Sequence, residues 1–176
     1  MPKMDITIRP EAPGDYAAIY ALTEAAFAGM EHADGDEQEI VGKLRRRAGF
    51  RPELSLVAER DGAIVGHVLF TEIKVGDSPA LCVGPISVLP ALQGQGIGAA
   101  LLQAGHETAR GLGFALCVLC GHADYYPRFG YEPIESHGIH FPFDAPEACK
   151  LVKFLDESGK SVRGTAAFPP ELLERP

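Results

Sequence analysis

Tryptophan is absent from this chain, methionine and cysteine are sparse, and lysine plus arginine number only 16 against 24 aspartates and glutamates. Each scarcity excludes something. The formal net charge of −8 opposes a nucleic-acid partner, because gripping a phosphate backbone relies on clustered cations. No apolar run approaches the ~18 residues of a membrane-spanning helix. Met1 to Asp5 leads into a short alternating segment and not into an apolar stretch of signal-peptide length. The expectation is a cytoplasmic protein without a membrane partner. Four cysteines suit a reducing compartment, where they serve as small hydrophobes. Cys117 and Cys120 form a C-x-x-C, but they fall in the apolar run Phe114 to Cys120, where strand residues three apart face opposite ways. That placement argues against zinc or redox use, and no metal is expected.

What the chain does have is 46% hydrophobic residues over 176 positions, enough for one domain, 1–176, with a sizeable core. There are no internal repeats. Its most informative segment is Val88 to Ala99. This joins a strand-like stretch, Leu81 to Leu89, to a helix-like stretch, Gly98 to Arg110, through a turn holding Gly94, Gly96 and Gly98. Such a turn presents free backbone N–H groups at a helix start, where the helix dipole also favours an anion. A Walker loop needs a Lys-Ser/Thr pair after its last glycine, and Ile97-Gly98-Ala99 supplies neither. A dinucleotide fingerprint has a different glycine interval. What fits is Gln/Arg-x-x-Gly-x-Gly, present as Gln93-Gly94-Gln95-Gly96-Ile97-Gly98.

That hexapeptide resembles the pyrophosphate-binding signature of the GNAT superfamily of acetyl-coenzyme A-dependent N-acetyltransferases. About thirty residues on, Tyr125-Tyr126-Pro127-Arg128-Phe129-Gly130-Tyr131 resembles the family's aromatic-Tyr-x-x-x-Gly-aromatic segment. Val83 to Pro90 and Gly164 to Phe168 are similar to a largely uncharacterised bacterial branch. The resemblance implies an α/β (α+β) fold with a mixed, mainly antiparallel sheet, splayed between strands 4 and 5 and flanked by helices. It implies acetyl-CoA as cofactor, with its pyrophosphate on Gln93, Gly94, Gln95, Gly96, Ile97, Gly98 and Ala99 and its pantetheine arm along Ile86, Ser87 and Val88. It also implies Tyr126 as the general acid and a small-molecule or peptide amine as acceptor. A homodimer is a further family trait, although no self-complementary patch is identifiable. Two other readings share these motifs: an acyl-CoA-binding sensor with little turnover, and an enzyme using a longer acyl chain.

Along the chain, Ile6 and Ile8 alternate up to Pro10, predicting a first strand. Asp15 is placed to cap a helix from Tyr16 to about Phe27, and a second helix is predicted from about Asp36 to Ala48. Its end carries Arg45-Arg46-Arg47, read as a solvated terminus. Leu54–Glu59 and Ala63–Val75 flank an Asp61-Gly62 hairpin turn. The strand Ala80 to Leu89 must be irregular at Gly84-Pro85, since proline donates nothing to a ladder. Phe114–Leu119 is a buried strand, Asp124 is placed to cap a short helix ending near Gly130, and Lys150–Leu155 is a last strand.

The general base is the open question. Many GNAT enzymes carry a Glu or Asp on the bulged strand, but this strand offers Ser87. The remaining candidates are Glu72, then Glu31, His32 and Asp34 in the loop between the first helices, and His122 at the end of the fifth strand. The chain departs from the family at Gly121-His122-Ala123-Asp124, where many members place an Asn that contacts the cofactor.

Overall fold

The computed structural model describes residues 5–30 and 33–173. A short alternating run and three longer, apolar-rich runs become strands: β1 (Thr7–Pro10), β2 (Phe50–Arg60), β3 (Ala63–Val75) and β4 (Ser78–Val88), each antiparallel to the next. Parallel to β4 lies β5 (Leu116–Cys120). Beyond it, β8 (Lys150–Phe154) and β6 (Glu132–Pro133) complete a seven-stranded sheet in the order β1-β2-β3-β4-β5-β8-β6. A small parallel pair, β7 (Ile139–His140) with β9 (Gly164–Thr165), stands apart. The expected mixed, mainly antiparallel sheet is present.

Side chains two apart on a strand share a face, and helices cover both. On one face α3 (Ile97–Gly111) lays Ile97, Leu101, Leu102 and Ala109 over Leu54, Leu56, Val68, Phe70 and Leu81. On the other, α1 (Tyr16–Phe27) places Ile19 against Val57, while α2 (Glu37–Arg45) places Ile40 and Leu44 against Leu69. Gly105 inside α3 has a packing reason: a β-carbon there would run into the fully buried Phe70 ring. The β2–β3 turn needs two residues with positive φ, and Asp61 (52°) and Gly62 (80°) supply them. A short helix, α4 (Pro170–Leu173), is tied to the segment just after α2 through Arg47–Glu171 at 2.9 Å.

Four local expectations are corrected. Asp15 does not cap α1 with its side chain; its carboxylate takes Arg9 at 2.7 Å and the Ala12 N–H at 2.8 Å. Asp124 caps nothing, because the turn after β5 starts one residue later, with Tyr125 in the cap position. The second helix stops at Arg45, not Ala48, and the following Arg46-Arg47-Ala48 turns back into β2. The arginine triplet is not merely solvated, since Arg45 reaches the nearly buried Glu11 at 2.8 Å and Arg47 reaches Glu171. Of the two cysteines expected to serve as small hydrophobes, Cys117 is buried, whereas Cys120 is exposed at the end of β5.

The core holds two imidazoles, His67 and His106. His106 bonds the Tyr131 hydroxyl at 2.8 Å and meets the Phe70 ring edge-on. Burial, aided by Lys153 and Arg110, pushes its pKa down to about 4. The folded protein thus holds fewer protons than the unfolded chain between the two pKa values, so stability is full above pH ~6.5 and lost as pH falls towards 4. Urea midpoints measured from pH 7.5 to 4.5 should show a loss of about 3 kcal/mol from this residue alone. In His106→Gln the acid slope should shrink, and an unchanged slope would contradict the assignment.

Candidate active site

The strand-to-helix turn has the geometry its glycines imply. Gly94 and Gly96 hold φ of 80° and 90°, in the left-handed region that a β-carbon disfavours. Gly96 is the N-cap of α3 and accepts the first helical bond, from Ala100 N–H at 3.0 Å. The N–H groups of Ile97, Gly98 and Ala99 therefore precede the helical ladder, and no side chain caps them. Gln93, Gly94, Gln95 and Gly96 are exposed, and Gln93 ties back to the Val88 carbonyl at 3.1 Å. The result is a 15-residue helix whose positive end faces solvent through a backbone-lined loop.

Beside this loop the sheet opens. β4 and β5 pair only at Leu81↔Cys117 and Cys82↔Val118. Beyond them β4 carries one residue more than β3, since Val68 faces Ile86 while Phe70 faces Val83. The extra residue falls at Gly84-Pro85, a cis peptide with Gly84 φ at 137°. Towards β5, the backbone of Ile86, Ser87 and Val88 meets no strand. The splay, the irregular strand and the glycine loop thus share one end of the sheet.

The tyrosine segment closes the other side of the opening. Tyr125 and Tyr126 are not neighbours within one helix: Tyr125 precedes a single turn of 3-10 helix, Tyr126–Phe129, and His122 caps that turn through its carbonyl. Their rings meet edge to face at 83°. The Tyr125 hydroxyl lies over α3, 2.9 Å from where a β-carbon on Gly98 would sit. The Tyr126 ring packs on Gly121, where a β-carbon would strike it, and against Tyr131 at 5.8 Å between centroids. Among the described residues the Tyr126 hydroxyl has no hydrogen-bond partner. Burial, then Tyr125, raises its pKa to about 12, so it carries its proton at neutral pH.

The base candidates fare differently. Glu31 and His32 lie outside the described residues. Asp34 is exposed, its N–H donating to Glu37 at 3.0 Å. Glu72 is engaged by Arg51 at 2.7 Å. His122 is exposed beyond β5. Among the described candidates, Asp34, Glu72 and His122 lie on three separate segments of the chain.

It assembles instead a buried polar cluster that the sequence reading missed. Glu11, just after β1, accepts from Ser55 Oγ and from Arg45 Nε, the latter at 2.8 Å. His67 Nε2 lies 2.9 Å from the same Ser55 oxygen. Burial opposes the charge on Glu11, yet His67, Ser55 and Arg45 outweigh it and hold the carboxyl below its ordinary range. The signal in the sequence was a lone imidazole at an inward position of an apolar strand; its partners come from positions far away in the chain.

These features can be set beside known proteins. The pattern of the acetyltransferase (GNAT) domain matches residues 51–133. The chain is 36% identical over 158 residues to the uncharacterised N-acetyltransferase YjhQ of Escherichia coli, covering 85% of this chain and 84% of that one. A GNAT family acetyltransferase from Brucella melitensis, solved in complex with acetyl-CoA, superimposes with a TM-score of 0.80 at 34% identity, over 95% of this chain and 97% of the other. Escherichia coli YhbS, solved with CoA, does so with a TM-score of 0.88 at 26% identity, over 99% and 95%. With this agreement along nearly the whole length, the chain belongs to the GNAT family of N-acetyltransferases.

Proposed function

We propose that this acyltransferase moves an acetyl group from acetyl-CoA directly to a primary amine of a small molecule or peptide. The observation that carries this reading is the joining of an uncapped, glycine-rich helix start to a sheet that parts beside it. A pyrophosphate fits the N–H groups of Gly94 to Ala99, because helix ends of this kind favour anions. A pantetheine arm is an extended chain of amides, and the unpaired backbone of Ile86, Ser87 and Val88 offers it strand-like hydrogen bonds. Acetyl-CoA and CoA in the Brucella melitensis and YhbS structures support the same guest.

Transfer needs the thioester held, the amine neutral and the leaving thiolate protonated. Tyr126 is the donor in this reading. A phenol near 12 is a weak acid for a thiolate in water, where a thiol sits near 8.5. Desolvation at the site of transfer disfavours the charged thiolate too, which narrows the gap between donor and leaving group and makes a positioned proton valuable.

Thiol release from acetyl-CoA across a panel of amines tests the reading, with Tyr126→Phe run alongside. Loss of a positioned acid typically slows chemistry by ~10² to 10⁴, so the single-turnover rate should fall by that order while CoA affinity survives. Tyr125→Phe should stay near wild type. A Tyr126→Phe enzyme with an unchanged single-turnover rate would reduce this tyrosine to packing.

Gly96→Val tests the loop. A branched side chain at φ 90° costs about 1–3 kcal/mol in strain and crowds the amides, so CoA affinity should drop strongly in protein that still melts cooperatively. Unchanged affinity by calorimetry would remove the pyrophosphate from this loop.

A further inference from the structure

His67 is fully buried on β3, and its cross-strand partners are Val57 on β2 and Ser87 on β4. Hydrogen-bond logic fixes its tautomer. Ser55 has one hydroxyl proton, which goes to the Glu11 carboxylate. The Ser55 oxygen must then accept at its contact with the imidazole, so His67 Nε2 carries the proton. That leaves Nδ1 as a bare lone pair, buried and without a partner among the described residues, and Ser87 Oγ is in the same condition. As directly opposed residues of an antiparallel pair, His67 and Ser87 share a face with β-carbons about 5 Å apart. Ser87 in turn sits on the irregular stretch of β4 beside the splay. Two orphaned polar atoms side by side in a close-packed sheet ask for a shared proton or bridge.

We infer that His67 is a positioning residue that draws a proton from the acceptor amine through Ser87, with Ser55 and Glu11 fixing its tautomer and stabilising its charge. The inference rests on the acetyl-transfer reading above. In the step itself, the incoming ammonium gives a proton to Ser87 Oγ as the serine proton moves to His67 Nδ1. The freed nitrogen lone pair forms the bond to the acetyl carbonyl carbon, and the carbon–sulfur bond breaks. The thiolate takes the Tyr126 proton, and the second proton lost by the nitrogen restores Tyr126. The new imidazolium lies beside the Glu11 carboxylate, whose own partner is Arg45, so its charge is balanced in place. Once the amide product leaves, the Nδ1 proton returns through Ser87 to water entering the splay, which restores the resting tautomer.

The charged groups acting on His67 are Glu11 from the segment after β1 and Arg45 from α2. α1 turns only Ile19, Leu22, Thr23 and Ala26 inward, none of them titratable. Burial pushes the His67 pKa down, against the pull of Glu11, so the imidazole is neutral and able to accept near pH 7.

The test contrasts two nucleophiles in single-turnover thiol release from acetyl-CoA: ethylamine, protonated near neutral pH, and hydroxylamine, already neutral. His67→Gln should slow the ethylamine reaction about 100-fold at pH 7, with the rate recovering as rising pH supplies free amine. The hydroxylamine reaction should change less than about threefold, since it needs no relay. Because a buried histidine is hard to replace, Ser55→Ala provides a second variant with the same selectivity at smaller size, and imidazole ¹⁵N spectra of the wild type should show Nε2 protonated and Nδ1 bare. Equal losses with both nucleophiles, no loss with either in a folded variant, or an Nδ1–H tautomer would overturn the relay while leaving the transferase intact. A wild-type protein that binds CoA but reacts with neither nucleophile overturns the transferase reading and the relay together.

Discussion

Parallel strands normally keep pairing for as long as both last, because each unmade backbone bond in a dry interior is costly. Here β4 and β5 stop after two residue pairs. The cause is local. One extra residue at Gly84-Pro85 disturbs β4, proline has no N–H to offer, and β4 goes on pairing with β3 instead, through Ile86, Ser87 and Val88. What a continuous sheet would satisfy internally is left for a ligand. The glycine loop at the same end adds three free amides and a helix dipole. Everything proposed for acetyl-CoA depends on this one interruption.

Burial then sets the acid–base character. Burial raises Tyr126 and the core thiol of Cys117 together and keeps the phenol protonated. The same dryness lowers His67 and leaves it neutral. The proposed donor and acceptor are thus shifted in opposite directions by one physical effect, with Glu11 opposing it at His67.

Much of this was legible in the chain. The glycine interval placed the start of α3, and Asp61-Gly62 between two apolar runs placed β2, β3 and their turn. Pro85 announced the irregular strand, and the odd spacing of Cys117 and Cys120 placed them on opposite faces. These are local signals, set by residues within one turn or one strand of each other. The failures share the opposite property. Asp15 and Asp124 have the right chemistry for caps, but Arg9 claims the first and the chain turns one residue late for the second. Arg45 and Arg47 look solvated until Glu11 and Glu171 arrive from distant segments. His67 drew no reading of its own within the apolar run of β3. Its meaning depends on Ser55 and Glu11, 12 and 44 positions from one another along the chain in the order His67–Ser55–Glu11.

Backbone amide exchange with and without CoA tests the central claim most directly, since it reads the groups that the parted strands and the glycine loop leave unsatisfied. The account predicts slowed exchange on adding CoA at Gly94 to Ala99 and at Ile86 to Val88, with β2 unchanged. Slowing confined to the groove between α1 and α2, or spread evenly over the sheet, would contradict it.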